Sequence, residues 1–155
     1  MLSQDTECHV VNTASIAGLL SSPHSATYQV TKHAVVALSE HLYQSLAQQG
    51  AKVKASVLCP GFIRTRILSS SRNRPVEFQI DSSDKPLSPE NEEAMWTDIQ
   101  AHFEVITPEQ AADTIFTAIK EERFYIYTHT EFNEFVKRRM ENIVQGQNPT
   151  VIPVS

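Results

Sequence analysis

The chain has 155 residues, 41% hydrophobic and 20% charged, with a formal net charge of -5. That length supports one domain with its own core, and the acidic balance leaves no basic footprint for a nucleic acid. No apolar run reaches the ~18 residues a membrane-spanning helix needs, and no basic-then-apolar start marks a secretory signal, so a cytoplasmic protein is expected. In chain order, CHVVNTAS reads as a short buried strand around Val10 and Val11 that ends in a loop of small residues at Thr13 to Ser15. SIAGLLSSPHSA follows as a loop broken by Gly18 and Pro23. A helix is predicted from about Thr27 to Gln48, with Val30, Ala34, Ala37, Leu38, Leu42, Ser45 and Leu46 on its apolar stripe. Val35, Val36 and Tyr43 add a second apolar face, and Gly50 suits the helix end.

VKASVLCPG, 53 to 61, is the next strand, stopped by Pro60-Gly61. Strand, helical crossover and strand make a βαβ unit, which implies parallel pairing. From 62 to 106 the texture changes. Ser, Asn and Asp are frequent, prolines interrupt, and a short helix is expected near Glu92 to Phe103. Thr107-Pro108-Glu109-Gln110 is a capping-box helix start. It opens a helix to about Glu122 whose inward residues are expected to be Ala111, Ala112, Ile115, Phe116, Ala118 and Ile119. FYIYT, 124 to 128, is a short strand, and a last helix runs roughly from Glu131 to Val144 before an irregular tail, 146–155.

Cys8 and Cys59 are too few for a disulfide framework and sit in apolar strand patterns, which favours a reducing compartment. The six histidines, at 9, 24, 33, 41, 102 and 129, never fall at metal-ligand spacing with Cys or carboxylates, so no metal site is expected. Arg64 with Arg66, Arg72 with Arg74, and Lys137 to Arg139 read as solvated surface or local anion contacts.

ATYQVTKHAV, 26 to 35, carries the chemistry. Tyr28 and Lys32 lie one helical turn apart and share a face. Ser15 stands in the loop after the first strand, and PGFIRT follows the second, at strand ends where open α/β sheets place ligands. An ammonium beside a phenol favours the phenolate, so Tyr28 could exchange a proton with an alcohol or carbonyl oxygen that Ser15 holds. Such groups have no electron sink, so redox chemistry would need a cofactor such as a nicotinamide. An ordinary helix start with two polar side chains reaching water explains the pair equally well from spacing alone. A zinc or hydrolase reading through Ser15 and His24 finds no acidic partner.

The motifs NTASIAG at 12 to 18, YQVTK at 28 to 32, HAVVALSEHL in the same helix and LCPGFIRTRI at 58 to 67 resemble the classical short-chain dehydrogenase/reductase (SDR) family, with Ser15 preceding Tyr28 by 13 positions. The resemblance is strong over 8 to about 67 and looser over 107 to 144. It implies Tyr28 as catalytic acid/base, Lys32 as the group that assists it and binds the nicotinamide ribose, and Ser15 as the substrate-orienting hydroxyl. It implies cofactor contacts at Pro60, Gly61, Ile63 and Thr65, with NAD or NADP as cofactor, the choice unreadable. Residues 66–106 would be a substrate lid, within a partial Rossmann-like domain spanning 1–145.

No GxxxGxG or GxGxxG turn is found among the four glycines. The expectation is therefore the C-terminal part only of a Rossmann-like doubly wound parallel α/β sheet, about three strands with flanking helices, its N-terminal glycine-rich half missing. The function expected is an NAD(P)-dependent oxidoreductase interconverting an alcohol and a carbonyl, as a truncated or split piece. The other reading is an inactive SDR-like fragment with a binding or assembly role. Expected partners are a small alcohol or ketone and either a homo-oligomer or the missing N-terminal half, with no nucleic acid and no membrane.

Overall fold

A computed structural model describes residues 1–4, 6–23, 25–78 and 87–150. The chain divides into two compact units, one made of Met1–Gly61 with Ala111–Ser155, the other of Phe62–Gln110.

The first unit is built on a parallel sheet. Strand β1 (Cys8–Thr13) pairs in parallel with β2 (Val53–Cys59), Cys8 opposite Val53 and Thr13 opposite Leu58. Helix α1 (Ala26–Gln48) is the crossover between them. Gly50, at φ 60, takes the left-handed conformation that ends this helix without steric cost. The other edge of β2 pairs with β5 (Tyr125–Tyr127), giving the strand order β1-β2-β5. As the central strand, β2 is buried at every position except Lys54. Helices α3 (Pro108–Lys120) and α4 (Asn133–Val144) flank β5 in the chain.

The second unit holds a further parallel pair, β3 (Phe62–Ile63) and β4 (Val105–Ile106). The phenyl rings of Phe62 and Phe103 lie 5.0 Å apart there, and Arg64 pairs with Glu93. Helix α2 (Pro89–His102) starts at Ser88, whose hydroxyl accepts from the Asn91 amide, and it carries Trp96, which is buried. The capping box before α3 forms in both directions, Gln110 N donating to Thr107 Oγ1 at 3.3 Å and Thr107 N to Gln110 Oε1 at 2.8 Å.

Several expectations are corrected here. The described residues hold five strands in two sheets rather than about three, because β3 and β4 are two residues each, too short to show alternation. Helix α1 buries Val36, Ser39 and Leu46, while Val30 and Leu38, assigned to its main stripe, are largely exposed. Both faces are apolar, so periodicity cannot choose between them. The close approach of Gly18 to the backbone of Lys32 and the contacts with β2 fix which face turns inward. On α3, Ala111 and Ala118 are buried, whereas Phe116 is exposed under the Lys120 ammonium, 5.1 Å from its ring centroid. Of the expected irregular tail, 151–155 lies outside the described residues, as does 79–86 of the expected lid.

Several buried polar groups in the first unit are paired, while Nε2 of His33 is buried without a partner among the described residues. Ser39 accepts from Asn12 Nδ2 at 3.0 Å and donates to the Val35 carbonyl at 2.7 Å. Ser56 donates to the Arg123 carbonyl at 2.7 Å, which leaves its oxygen to accept from His9 Nε2 at 2.8 Å. Burial is the largest influence on His9 and lowers it from the ordinary 6.5; Glu122 opposes the shift and Lys54 adds to it. The unfolded chain therefore takes up this proton first as pH falls. The contribution is complete above about 6.5 and is lost as pH drops through the lower, folded value. Urea midpoints should decline between pH 7.5 and pH 5, and His9→Gln should flatten that slope. An unchanged slope in the variant would remove His9 from the account.

Candidate active site

The site is assembled on the carboxyl ends of β1 and β2. Beyond β1, Ala14 N donates to the Leu58 carbonyl at 2.8 Å and Ile16 N to the Pro60 carbonyl at 2.9 Å. These two bonds stitch the loop holding Ser15 to the turn holding Pro60 and Gly61. Ser15 has extended backbone, is 8% exposed, and caps a short 3-10 turn over Ile16–Gly18, its hydroxyl accepting from Ala17 N at 3.2 Å. A Cβ on Gly18 would meet the Lys32 carbonyl oxygen at 2.7 Å and its carbon at 2.9 Å. Only a glycine lets this turn seat so closely on α1.

The helix brings the other two groups. Tyr28 stands in the first turn of α1, 41% exposed. The Lys32 ammonium lies 5.5 Å from the centroid of its ring and donates to the Thr13 carbonyl at 3.2 Å. Lys32 is thereby tied to the strand end two residues before Ser15. Just upstream, Gln29 clamps Ser22, with its amide donating to the Ser22 carbonyl and its oxygen accepting from Ser22 N, each at 3.0 Å. Ser25, which precedes the helix, sits at φ 53, a left-handed conformation costly for a residue with a Cβ.

The Pro60–Gly61 turn has support that the sequence did not suggest. Gly61 N donates to Thr128 Oγ1 at 3.3 Å, and that hydroxyl lies 2.6 Å from Nδ1 of His129, which is buried. A Cβ on Gly61 would come within 2.7 Å of the His129 ring. Gly18, Thr128 and His129 are thus missed positioning residues. Gly18 was visible within NTASIAG; a histidine between two threonines past a short strand gave no signal. Nearby, Cys59 is buried at the end of β2, and burial, with Glu40 adding, pushes its thiol up to about 12. It is neutral packing and not a nucleophile.

Hydrogen bonds to and from the adjoining backbone therefore tie the segments holding Ser15, Lys32, Pro60 and Gly61 together, with Tyr28 beside Lys32. Ile63 is half-buried in β3 and Thr65 is exposed just after it, both in the second unit.

The family model described as short chain dehydrogenase matches residues 1–75. A CLA biosynthesis dehydrogenase/reductase from Lactiplantibacillus plantarum is 33% identical over 156 residues, 97% of this chain and 53% of that protein. A solved short-chain dehydrogenase/reductase from Burkholderia phymatum in complex with NAD is 38% identical, with a TM-score of 0.84, over 100% of this chain and 54% of that one. A short-chain dehydrogenase from Burkholderia cenocepacia in complex with NADP, 18% identical, shares the fold at a TM-score of 0.55 over 88% of this chain and 46% of that one. The chain spans about half the length of the relatives it matches.

These ranges correct the expectation of a C-terminal part only with its N-terminal half missing. The family likeness begins at residue 1, takes in the N-terminal half of this chain, and in the Burkholderia phymatum structure runs through all of it. A glycine-rich turn is one motif of the family, and its absence does not bound how far the likeness extends along this chain. The matched proteins are described as short-chain dehydrogenases or dehydrogenase/reductases, and the one from Burkholderia phymatum holds NAD.

Proposed function

We propose that this chain serves an NAD(P)-dependent oxidoreductase of the short-chain dehydrogenase/reductase type, interconverting a small alcohol and its ketone or aldehyde. The observation that carries the reading is the tethering of Lys32 to the Thr13 carbonyl while it flanks Tyr28, with Ser15 two residues further on. The donor set suits the cofactor: an ammonium for ribose hydroxyls, and a Pro-Gly turn beside a hydroxyl at a strand end. When bound, the nicotinamide supplies the hydride acceptor or donor.

The chain's own residues do the rest. Ser15 donates a hydrogen bond to the substrate oxygen and fixes its place. Tyr28 gives its phenolic proton to the oxygen of a carbonyl on reduction and removes it from an alcohol on oxidation. Lys32 offsets the negative charge that grows on the Tyr28 oxygen. The roles of Pro60, Gly61, Ile63 and Thr65 as cofactor contacts carry over from the resemblance.

Titration with NADH and with NADPH, followed by nicotinamide fluorescence, tests the proposal. Saturable binding of at least one is expected, weakened about tenfold or more in Lys32→Met, the loss of a charged hydrogen bond. No saturable binding of either, with the chain folded by circular dichroism, would leave an SDR-like binding or assembly module instead.

A further inference from the structure

The first unit contains a cavity of about 170 Å³ between the loop after the 3-10 turn, one face of α4 and the chain that follows that helix. Leu20, Phe135 and Ile143 give it apolar walls, and Arg138, Arg139 and Asn142 are among its polar ones. The chain after α4 closes it, with Gln147 N donating to the Asn142 carbonyl at 2.8 Å and Asn142 Nδ2 to Thr150 Oγ1 at 2.9 Å.

Arg139 is the unexplained group. It is half-buried on the apolar side of α4. Its neighbours at helical spacing are Phe135, Val136, Asn142 and Ile143, none of them acidic. Among the described residues it makes no ion pair or hydrogen bond. The adjacent Arg138 differs on each count: it is exposed, lies 5.4 Å over the Phe135 ring, and has Glu134 and Glu141 at helical spacing. A guanidinium carries five donors in a fork that matches a carboxylate, and a half-buried one without an acceptor is costly. The Asn142 amide nitrogen uses one donor on Thr150, and Arg138, which also lines the cavity, lies over the Phe135 ring with two glutamates at helical spacing, so Arg139 is the first choice of anion receptor.

We propose that this cavity binds a small monocarboxylate, its charged end on Arg139 and a short apolar tail among Leu20, Phe135 and Ile143. A cavity of ~150 Å³ accommodates benzene, so a tail of about six carbons is the upper limit. The proposal does not depend on the redox reading.

Titration of the ¹⁵N-labelled chain with hexanoate, and separately with hexanamide, tests it by NMR. Hexanoate is expected to shift the amide signals of Leu20, Asn142 and Gln147 saturably, while the uncharged amide does not. Arg139→Gln should weaken hexanoate about tenfold or more. Ile143→Glu, at a position 58% exposed and so without cost to the core, should abolish binding by placing a like charge at the rim. It keeps the test valid if the arginine variant fails to fold. No shifts, equal shifts with hexanamide, or undiminished binding in Ile143→Glu would each overturn the site.

Discussion

Tyr28→Phe should lower turnover by about 10² to 10⁴, the span that a positioned acid/base contributes, while leaving NADH or NADPH binding within about threefold. The substitution removes one oxygen and keeps the ring. Tyr28 is 41% exposed, so the core does not register the change. The Lys32 ammonium keeps its bond to the Thr13 carbonyl at 3.2 Å and a ring beside it at 5.5 Å. Binding and chemistry are therefore separable at this position. Nicotinamide absorbance against a panel of small alcohols and ketones reads the first quantity, and nicotinamide fluorescence reads the second. Turnover retained within threefold would remove Tyr28 from proton transfer, whatever its position beside Lys32.

Gly18→Ala should destabilise the chain by roughly 1–3 kcal/mol, the range for forcing extra atoms into a filled space, and should also cut turnover. The added Cβ meets backbone atoms, the carbonyl oxygen and carbon of Lys32 at 2.7 and 2.9 Å, and the Val36 side chain at 3.0 Å. A side-chain tip could swing aside; a helix carbonyl in mid-ladder cannot. Relief must come from lifting the turn over Ile16–Gly18 off α1, and that turn begins at Ser15. The hydroxyl would then move relative to Lys32 and Tyr28. Gly50→Ala is the matched control. Its φ of 60 strains any residue with a Cβ, but nothing lies within 4 Å, so it should lose stability and keep turnover. Urea unfolding and steady-state rates on both variants decide the matter. Equal losses of turnover would show that Gly18 matters only through stability.

The sequence made the frame of the site legible because it is local. Val10-Val11 and Val53 to Leu58 announce their strands, the YQVTK spacing puts two groups on one helical face, and Thr107 with Gln110 marks a helix start that the structure reproduces bond for bond. What escaped reading is tertiary. Val30 and Leu38 look as apolar as Val36 and Leu46, and only tertiary contacts, with Gly18 and with β2, tell which pair is inside. Phe116 looks like core, yet Lys120 covers it from the solvent side. The buried His129 under Gly61 joins residues 68 positions apart, a relation that no local pattern encodes. Ser88 before Pro89 is a cap that the surrounding serines and prolines hide in the sequence.

The sheet order β1-β2-β5 also bears on how the chain comes to its fold. Strand β2 meets β1 across a separation of 45 positions, Cys8 to Val53, and meets β5 across 68, Val57 to Tyr125. Parallel pairings at such distances reward the chain only after long loops have closed, which makes folding slow. During synthesis β1, α1 and β2 can associate well before residue 127 is made. Until then the central strand of the sheet, buried at every position except Lys54, keeps one edge unsatisfied, and that interval is when a nascent chain is most exposed to aggregation. Chaperone dependence should therefore track the time between emergence of Cys59 and of Tyr127, and slowing translation across that stretch should lower soluble yield.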